Sequence, residues 1–154
     1  MGAQCECIRM MKTAKNIYMT TYMAKVLFDI FIFVFGGLVY GGIELLWRQS
    51  THWSMLLTGG LCFYLLYKLF SQFPEMPLYL KCVIGACIIT IIEFIVGYVV
   101  NIVFKMNVWD YSYLRFNIMG QVSLLYSVLW GFLVIPVTFL VKIINSTMDK
   151  FNFI

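Results

Sequence analysis

The chain has 154 residues, of which 62% are apolar, 18% aromatic and 12% charged; 11 Lys and Arg stand against 7 Asp and Glu, for a net charge of +4. Soluble domains carry about 25% charged residues and roughly half apolar ones, so this composition excludes an ordinary soluble domain and fits an integral membrane protein. Nucleic-acid binding would need a basic face on a folded soluble surface, so the positive balance reads as a topology signal instead.

Residues 1–25 read as a basic cytoplasmic tail, with Met10 and Met11 as alternative starts to Met1. The first apolar run is too long for a secretory signal peptide, and no small-residue cleavage site follows it. A membrane span needs about 20 mainly apolar residues, and "VLFDIFIFVFGGLVYGGIELLW" (26–47) is the first of four such segments. Within it Gly37 and Gly41 form a G-x-x-x-G pair, a seam on which another helix can close. Glu44 and Arg48 follow on the same face, at the spacing of a helix ion pair, and the guanidinium can snorkel to the interface. His52 falls past Ser50 and Thr51, where the helix should end, and next to Trp53. It reads as an interfacial residue, since a metal role needs three or four convergent ligands.

The second span, "WSMLLTGGLCFYLLYKLF" (53–70), is the shortest and carries Ser54, Thr58 and Cys62 on one stripe. The prolines of "SQFPEMPLY" stop it and set up the third. That span, "CVIGACIITIIEFIVGYVVNIVF" (82–104), places Ala86, Thr90, Glu93, Gly97 and Asn101 at nearly one helical spacing. Glu93 is its sharpest feature. It lies near mid-helix, roughly 16 Å from each surface at 1.5 Å per residue. Insertion scales put a charge at that depth at about +2.5–3.5 kcal/mol. The carboxyl must meet a partner, face water or keep its proton. Two roles stay open: an ion or proton site on a transport path, or a protonated structural hydrogen bonder reaching Gln121 or a serine of the fourth helix.

The loop "KMNVWDYSYLRFN" (105–117) is the longest and has room for a short interfacial helix. Its Trp109, Tyr111 and Tyr113 suit the membrane surface, and Asn117 is placed to cap the helix after it. The fourth span, "MGQVSLLYSVLWGFLVIPVTFLVKII" (119–144), carries Gly120, Ser123, Ser127 and Gly131 on a stripe, and Pro136 predicts a kink. Residues 145–154 form a short cytoplasmic tail.

Lipid leaves backbone groups unpaired unless they bond internally. Strict alternation is absent and the runs are too long for barrel strands, so the predicted fold is all-α: a polytopic, compact bundle of four transmembrane helices over 26–144. Gly37, Gly41, Gly97, Gly120 and Gly131 are its expected packing glycines. With the N-terminus inside, the inner side holds Arg9, Lys12, Lys15, Lys25, Lys68, Lys81, Lys142 and Lys150, and the outer side Arg48, Lys105 and Arg115. That bias puts both termini in the cytoplasm. The five cysteines contain no C-x-x-C pair. Cys5 and Cys7 lie in the tail, and Cys62, Cys82 and Cys87 read as small apolar fillers.

Glu44, Arg48, His52, Asn101, Asp110, Arg115, Asn117 and Gln121 then gather toward the outer half, with Glu93 below them. They suggest a polar vestibule that opens outward and narrows to Glu93. There is no H-E-x-x-H, G-x-S-x-G or G-x-x-x-x-G-K-[ST]. No catalytic residue, metal or cofactor is expected, and the chain does not read as an enzyme. The expected partners are the lipid bilayer and further copies of the chain, with no nucleic acid.

The strings "GGLVYGGIELLWRQSTHWSMLLTGGLCF", "ITIIEFIVGYVVN" and "VWDYSYLRFNIMGQVSL", with Trp130, resemble a bacterial family of small integral membrane proteins. These are known as ABC-transporter permeases, type IV or CmpB-like. The shared pattern falls on Glu44, Arg48, His52, Trp53, Glu93, Asn101, Trp109, Asp110, Tyr111, Ser112, Asn117 and Gln121. The resemblance implies a multi-pass transporter subunit of the bacterial plasma membrane, of unknown substrate, driven by a separate ATPase subunit. Four short helices would enclose a path as a homo-oligomer. Two alternatives stay open. One is a proton-coupled small secondary transporter; the small multidrug resistance family also uses four helices and a membrane glutamate, but central in helix one, whereas Glu44 lies near an end. The other is a non-transport scaffold or holin-like pore.

Overall fold

The computed structural model describes residues 19–150 in full and the backbone of the first helix from Gly2. The side chains of Cys5, Cys7, Arg9, Lys12, Lys15 and the starts Met10 and Met11, together with Met1 and residues 151–154, lie outside the described residues. Four helices follow in order: α1 (Gly2–Arg48), α2 (Trp53–Gln72), α3 (Leu78–Gly97) and α4 (Leu124–Lys150). A π-helical turn, Tyr98–Val103, extends α3. A short antiparallel pair, β1 (Asn117–Ile118) and β2 (Val122–Ser123), precedes α4. The stretches long and apolar enough to cross a membrane are Met19–Arg48, Trp53–Gln72, Leu78–Val103 and Leu124–Lys150. The architecture is an all-α bundle of four membrane-spanning helices.

The helix of the first span is already formed before the expected Val26, since nothing in 19–25 breaks it. The third starts at Leu78 rather than Cys82, because Pro77 sits at the N-cap, where its missing N–H costs nothing. The fourth differs most. Residues 117–123 fold as a hairpin, and α4 begins only at Leu124. Its first turn is capped by Ser123, whose Oγ accepts from the Tyr126 N–H at 3.4 Å. Asn117 does not cap α4; its Oδ1 accepts from Gly120 N–H at 3.0 Å inside the hairpin. The loop before it holds no interfacial helix.

α1 packs along α2, and α3 along α4, while α2 also touches α3 and α4. α1 and α4 share no backbone-close seam of this kind; side chains such as Tyr40 and Trp130 meet between them. The α1–α2 seam is glycine-rich on both sides. A Cβ on Gly37 would meet the Leu56 carbonyl oxygen at 2.6 Å, and one on Gly60 the Phe33 carbonyl oxygen at 2.6 Å. Gly36 lies against Phe63, and Gly59 against the Tyr40 side chain. Such close approach gives dispersion contacts that lipid cannot replace. The core centres on Ile32, Leu66 and Val134. Leu27, Phe31, Val83 and Ile91 point away from it and form a lipid-facing surface.

The packing glycines divide. Gly37 and Gly41 face α2, and a Cβ on the latter would meet the Leu56 side chain at 2.5 Å. Gly97 faces Gln121 and Trp109 of the loop instead of a helix. Gly120 is not a packing residue: it turns the hairpin at φ 69°. Around Gly131 a Cβ would find its nearest neighbour at 3.8 Å, ordinary contact, so no close approach depends on it.

Candidate functional site: a cleft between α1 and α4

Because α1 and α4 do not close on each other, a groove runs between them with α2 and α3 as its floor. Its wider part, about 690 Å³, is lined by Glu44 and Arg48 of α1, Asp110 and Tyr111 of the loop, and Tyr126 and Leu129 of α4. A narrower apolar chamber of about 140 Å³ continues below, among Phe63, Leu66, Ile89, Val137 and Leu140, with Glu93 in its wall. Tyr40 and Trp130 line both spaces, their ring centroids 6.2 Å apart.

Glu93 is 3% exposed, ten residues before the end of its span at Val103. Its two oxygens each accept one neutral donor: the Tyr111 hydroxyl at 3.1 Å and the Trp130 indole N–H at 2.8 Å. Gln121 is not its partner, and neither is a serine of α4; Ser127 accepts instead from the Thr90 hydroxyl at 3.0 Å. Tyr111 stacks on Tyr126 at 4.4 Å, and Tyr126 leans on Trp130. Burial, reinforced by the neighbouring Glu93 carboxyl, pushes the Tyr111 phenol well above its ordinary range, so it stays a hydrogen-bond donor.

Glu44 is 5% exposed and solves its burial differently. One oxygen pairs with Arg48 Nη1 at 2.9 Å, and the other accepts from the Thr51 hydroxyl at 2.6 Å. The other guanidinium nitrogen of Arg48 donates to the Val108 carbonyl at 2.9 Å, so this arginine ties α1 to the long loop. Gln49, at φ 55°, ends α1 in the left-handed region with its N–H on the Leu45 carbonyl. His52 then starts α2. Its Nδ1 accepts from Ser54 N–H at 3.3 Å and lies 2.8 Å from the Ser54 hydroxyl. It is a helix cap set against Trp53, and it does not line the cleft.

Asn101 and Gln121, also expected in the vestibule, are buried away from it in a network of their own. Asn101 Nδ2 donates to Gln121 Oε1 at 2.8 Å and to the Trp109 carbonyl at 3.0 Å, and its Oδ1 accepts from Val108 N–H at 2.7 Å. The Trp109 indole N–H donates to the Gln121 carbonyl at 2.9 Å. These bonds clamp the loop onto the end of α3, and that clamp carries Tyr111 over Glu93. Asp110 lines the cleft, but both its oxygens accept from Ser112, from N–H at 2.8 Å and hydroxyl at 2.9 Å. Asn117 serves the hairpin, and Arg115 is exposed on the loop.

Three features escaped sequence reasoning. Tyr40 and Tyr126 form cleft walls. Each stands four residues before a polar or aromatic cleft residue, Glu44 and Trp130, and that helical spacing was the available signal. Asp29 sits in the first apolar run and pairs with Lys68 of α2 at 2.6 Å, with the Tyr64 hydroxyl 3.4 Å away. Among the described residues no group of three or more His, Cys, Asp or Glu side chains is placed to hold a metal ion.

A family model described as "Putative ABC-transporter type IV" matches residues 14–153. No curated protein and no solved structure matches the chain.

Proposed function

We propose that this chain, which belongs to the ABC-transporter type IV family, is a membrane subunit of a transporter that binds its substrate in the α1–α4 cleft. The observation that carries this reading is the cleft itself: a polar mouth, a wall of aromatic rings and one buried carboxyl, Glu93, at the junction with an apolar chamber. The protein lies in the plasma membrane of a bacterial cell with both termini cytoplasmic, and the mouth opens outward. Trp47, Trp53 and Tyr113, exposed at the mouth end, suit an interfacial aromatic belt, and the lysine and arginine bias of the sequence supports the orientation. The chain performs no chemistry of its own. A separate ATPase subunit supplies the energy, and homo-oligomers complete the path.

A second reading has one observation in its favour. Glu93 takes part in neither of the ion pairs found among the described residues, Glu44–Arg48 and Asp29–Lys68. A carboxyl without a cation can exchange a proton, which suits a proton-coupled secondary transporter.

Affinity purification of tagged protein from its native membrane separates the two. The permease reading expects a copurifying ATPase, whose turnover falls at least tenfold with Glu93→Gln while the complex stays assembled. Protein that purifies without any ATPase, yet dissipates a proton gradient in proteoliposomes only when Glu93 is present, replaces it with the second reading.

A further inference from the structure

The charge, shape and wall chemistry of the cleft restrict what it can hold. Glu93 accepts two bonds, both from neutral donors. A carboxylate offers about four lone-pair sites, so acceptor capacity remains beyond these two bonds, and the residue stands in the wall of the chamber. The groups around it are ring systems: Tyr40 and Trp130 on both sides of the junction, and Tyr111 above. Aromatic faces are negative and attract cations, most strongly where water is excluded.

The other charged groups of the cleft are already engaged. Glu44 is held by Arg48 and Thr51, Asp110 by Ser112, and Arg48 by Glu44 and the Val108 carbonyl. Glu44 has its charge matched by Arg48, and Asp110 lies exposed at the mouth, where water competes for its charge. Below Glu93 the chamber is hydrocarbon. The two spaces, about 690 and 140 Å³, are those of a small-molecule site rather than of a macromolecular groove. The flank between α1 and α4, without a backbone-close seam, also gives an amphipathic molecule a way in from the bilayer.

Building on the reading of this cleft as a ligand site, we propose that its ligand is an amphipathic organic monocation. The cationic head sits at Glu93 among the rings of Tyr40, Tyr111 and Trp130, and the apolar body lies in the chamber below.

Two ions of equal shape and opposite charge, tetraphenylphosphonium and tetraphenylborate, provide the test. Equilibrium dialysis against full-length protein in zwitterionic nanodiscs, with empty discs as the blank, measures each. The expected result is saturable binding of the phosphonium, one per chain, weakened at least tenfold by Glu93→Gln and at least threefold by Tyr40→Leu. Tetraphenylborate should not compete. The second variant keeps the carboxyl, so the proposal does not hang on the folding of the first.

Phosphonium binding that exceeds empty discs but survives both substitutions overturns the proposal. Saturable borate binding that is abolished by Leu133→Trp, a block in the cleft wall, overturns the cationic class and leaves the cleft a ligand site. If neither probe saturates and Leu133→Trp alters nothing, the ligand-site reading falls with it.

Discussion

Among the described residues two glutamates are buried, and the chemistry that holds them differs. Glu44 has a cation and a hydroxyl, so its charge is matched locally. Glu93 has a phenol and an indole, which satisfy its oxygens but leave its charge unmatched. The phenol of this pair has a measurable signature. Burial, then the Glu93 carboxyl, raises the Tyr111 proton affinity in the folded chain above that of the unfolded chain. The folded state therefore keeps a proton that the unfolded state sheds above about pH 10. The stabilisation is complete below that pH and is lost as pH rises beyond it. The melting temperature of the wild type in detergent should fall more steeply between about pH 9 and 11 than that of Tyr111→Phe; parallel curves would refute the assignment. Glu93 stood out in the sequence because an acid in an apolar run is expensive wherever it points. Its partners did not stand out: Tyr111 arrives through a folded-back loop, and Trp130 lies 37 residues away on another helix.

At the scale of the elements, composition and run length made the four spans legible, because lipid permits little else for such segments. The start of α4 was not legible. The chain before it turns at Phe116 and Met119, non-glycine residues with φ of 55° and 54°, followed by Gly120 at 69°. Residues with side chains enter that region only where surrounding contacts impose it, and here the clamp of Asn101, Gln121 and Trp109 does so. The α1–α2 seam gives a sharper test. Gly60→Ala must push Phe33 backbone away and should lower stability by about 1–3 kcal/mol. Gly42→Ala, with nothing within 4 Å of the added carbon, should be neutral or stabilise by up to about 1 kcal/mol. Unfolding of both variants in detergent, followed by circular dichroism, compares them directly, and equal effects would show that the seam does not close as described.

For the whole molecule, the two hairpin-like connections, 49–52 and 104–123, lie at one end of the bundle, and the turn at 73–77 lies at the other. Lys81, 3% exposed, closes that turn through the Pro74 carbonyl at 2.9 Å. Asn145 ties α4 to α2 beside it through Tyr67 at 2.9 Å and Ser71 at 3.3 Å. In the proposed orientation, cysteines placed at Lys105 and Arg115, in a background free of native cysteine, should react with an impermeant maleimide added to intact cells. A cysteine at Glu75 should react only after lysis, and the reverse pattern would invert the protein in the membrane.

The missing α1–α4 seam also has a mechanical meaning. Three sides of the bundle are bonded by interlocking side chains or backbone-close glycines, and such interfaces resist sliding. The fourth is bridged by ring contact, Tyr40 on Trp130, without a backbone-close seam. The α1–α2 pair can swing as a plate against α3–α4 about the α2 contacts, a small shear or hinge motion of packed helices. The girth of the cleft is thus set by the elasticity of the α2 contacts rather than by the size of any gap, and guests of quite different widths meet the same rings.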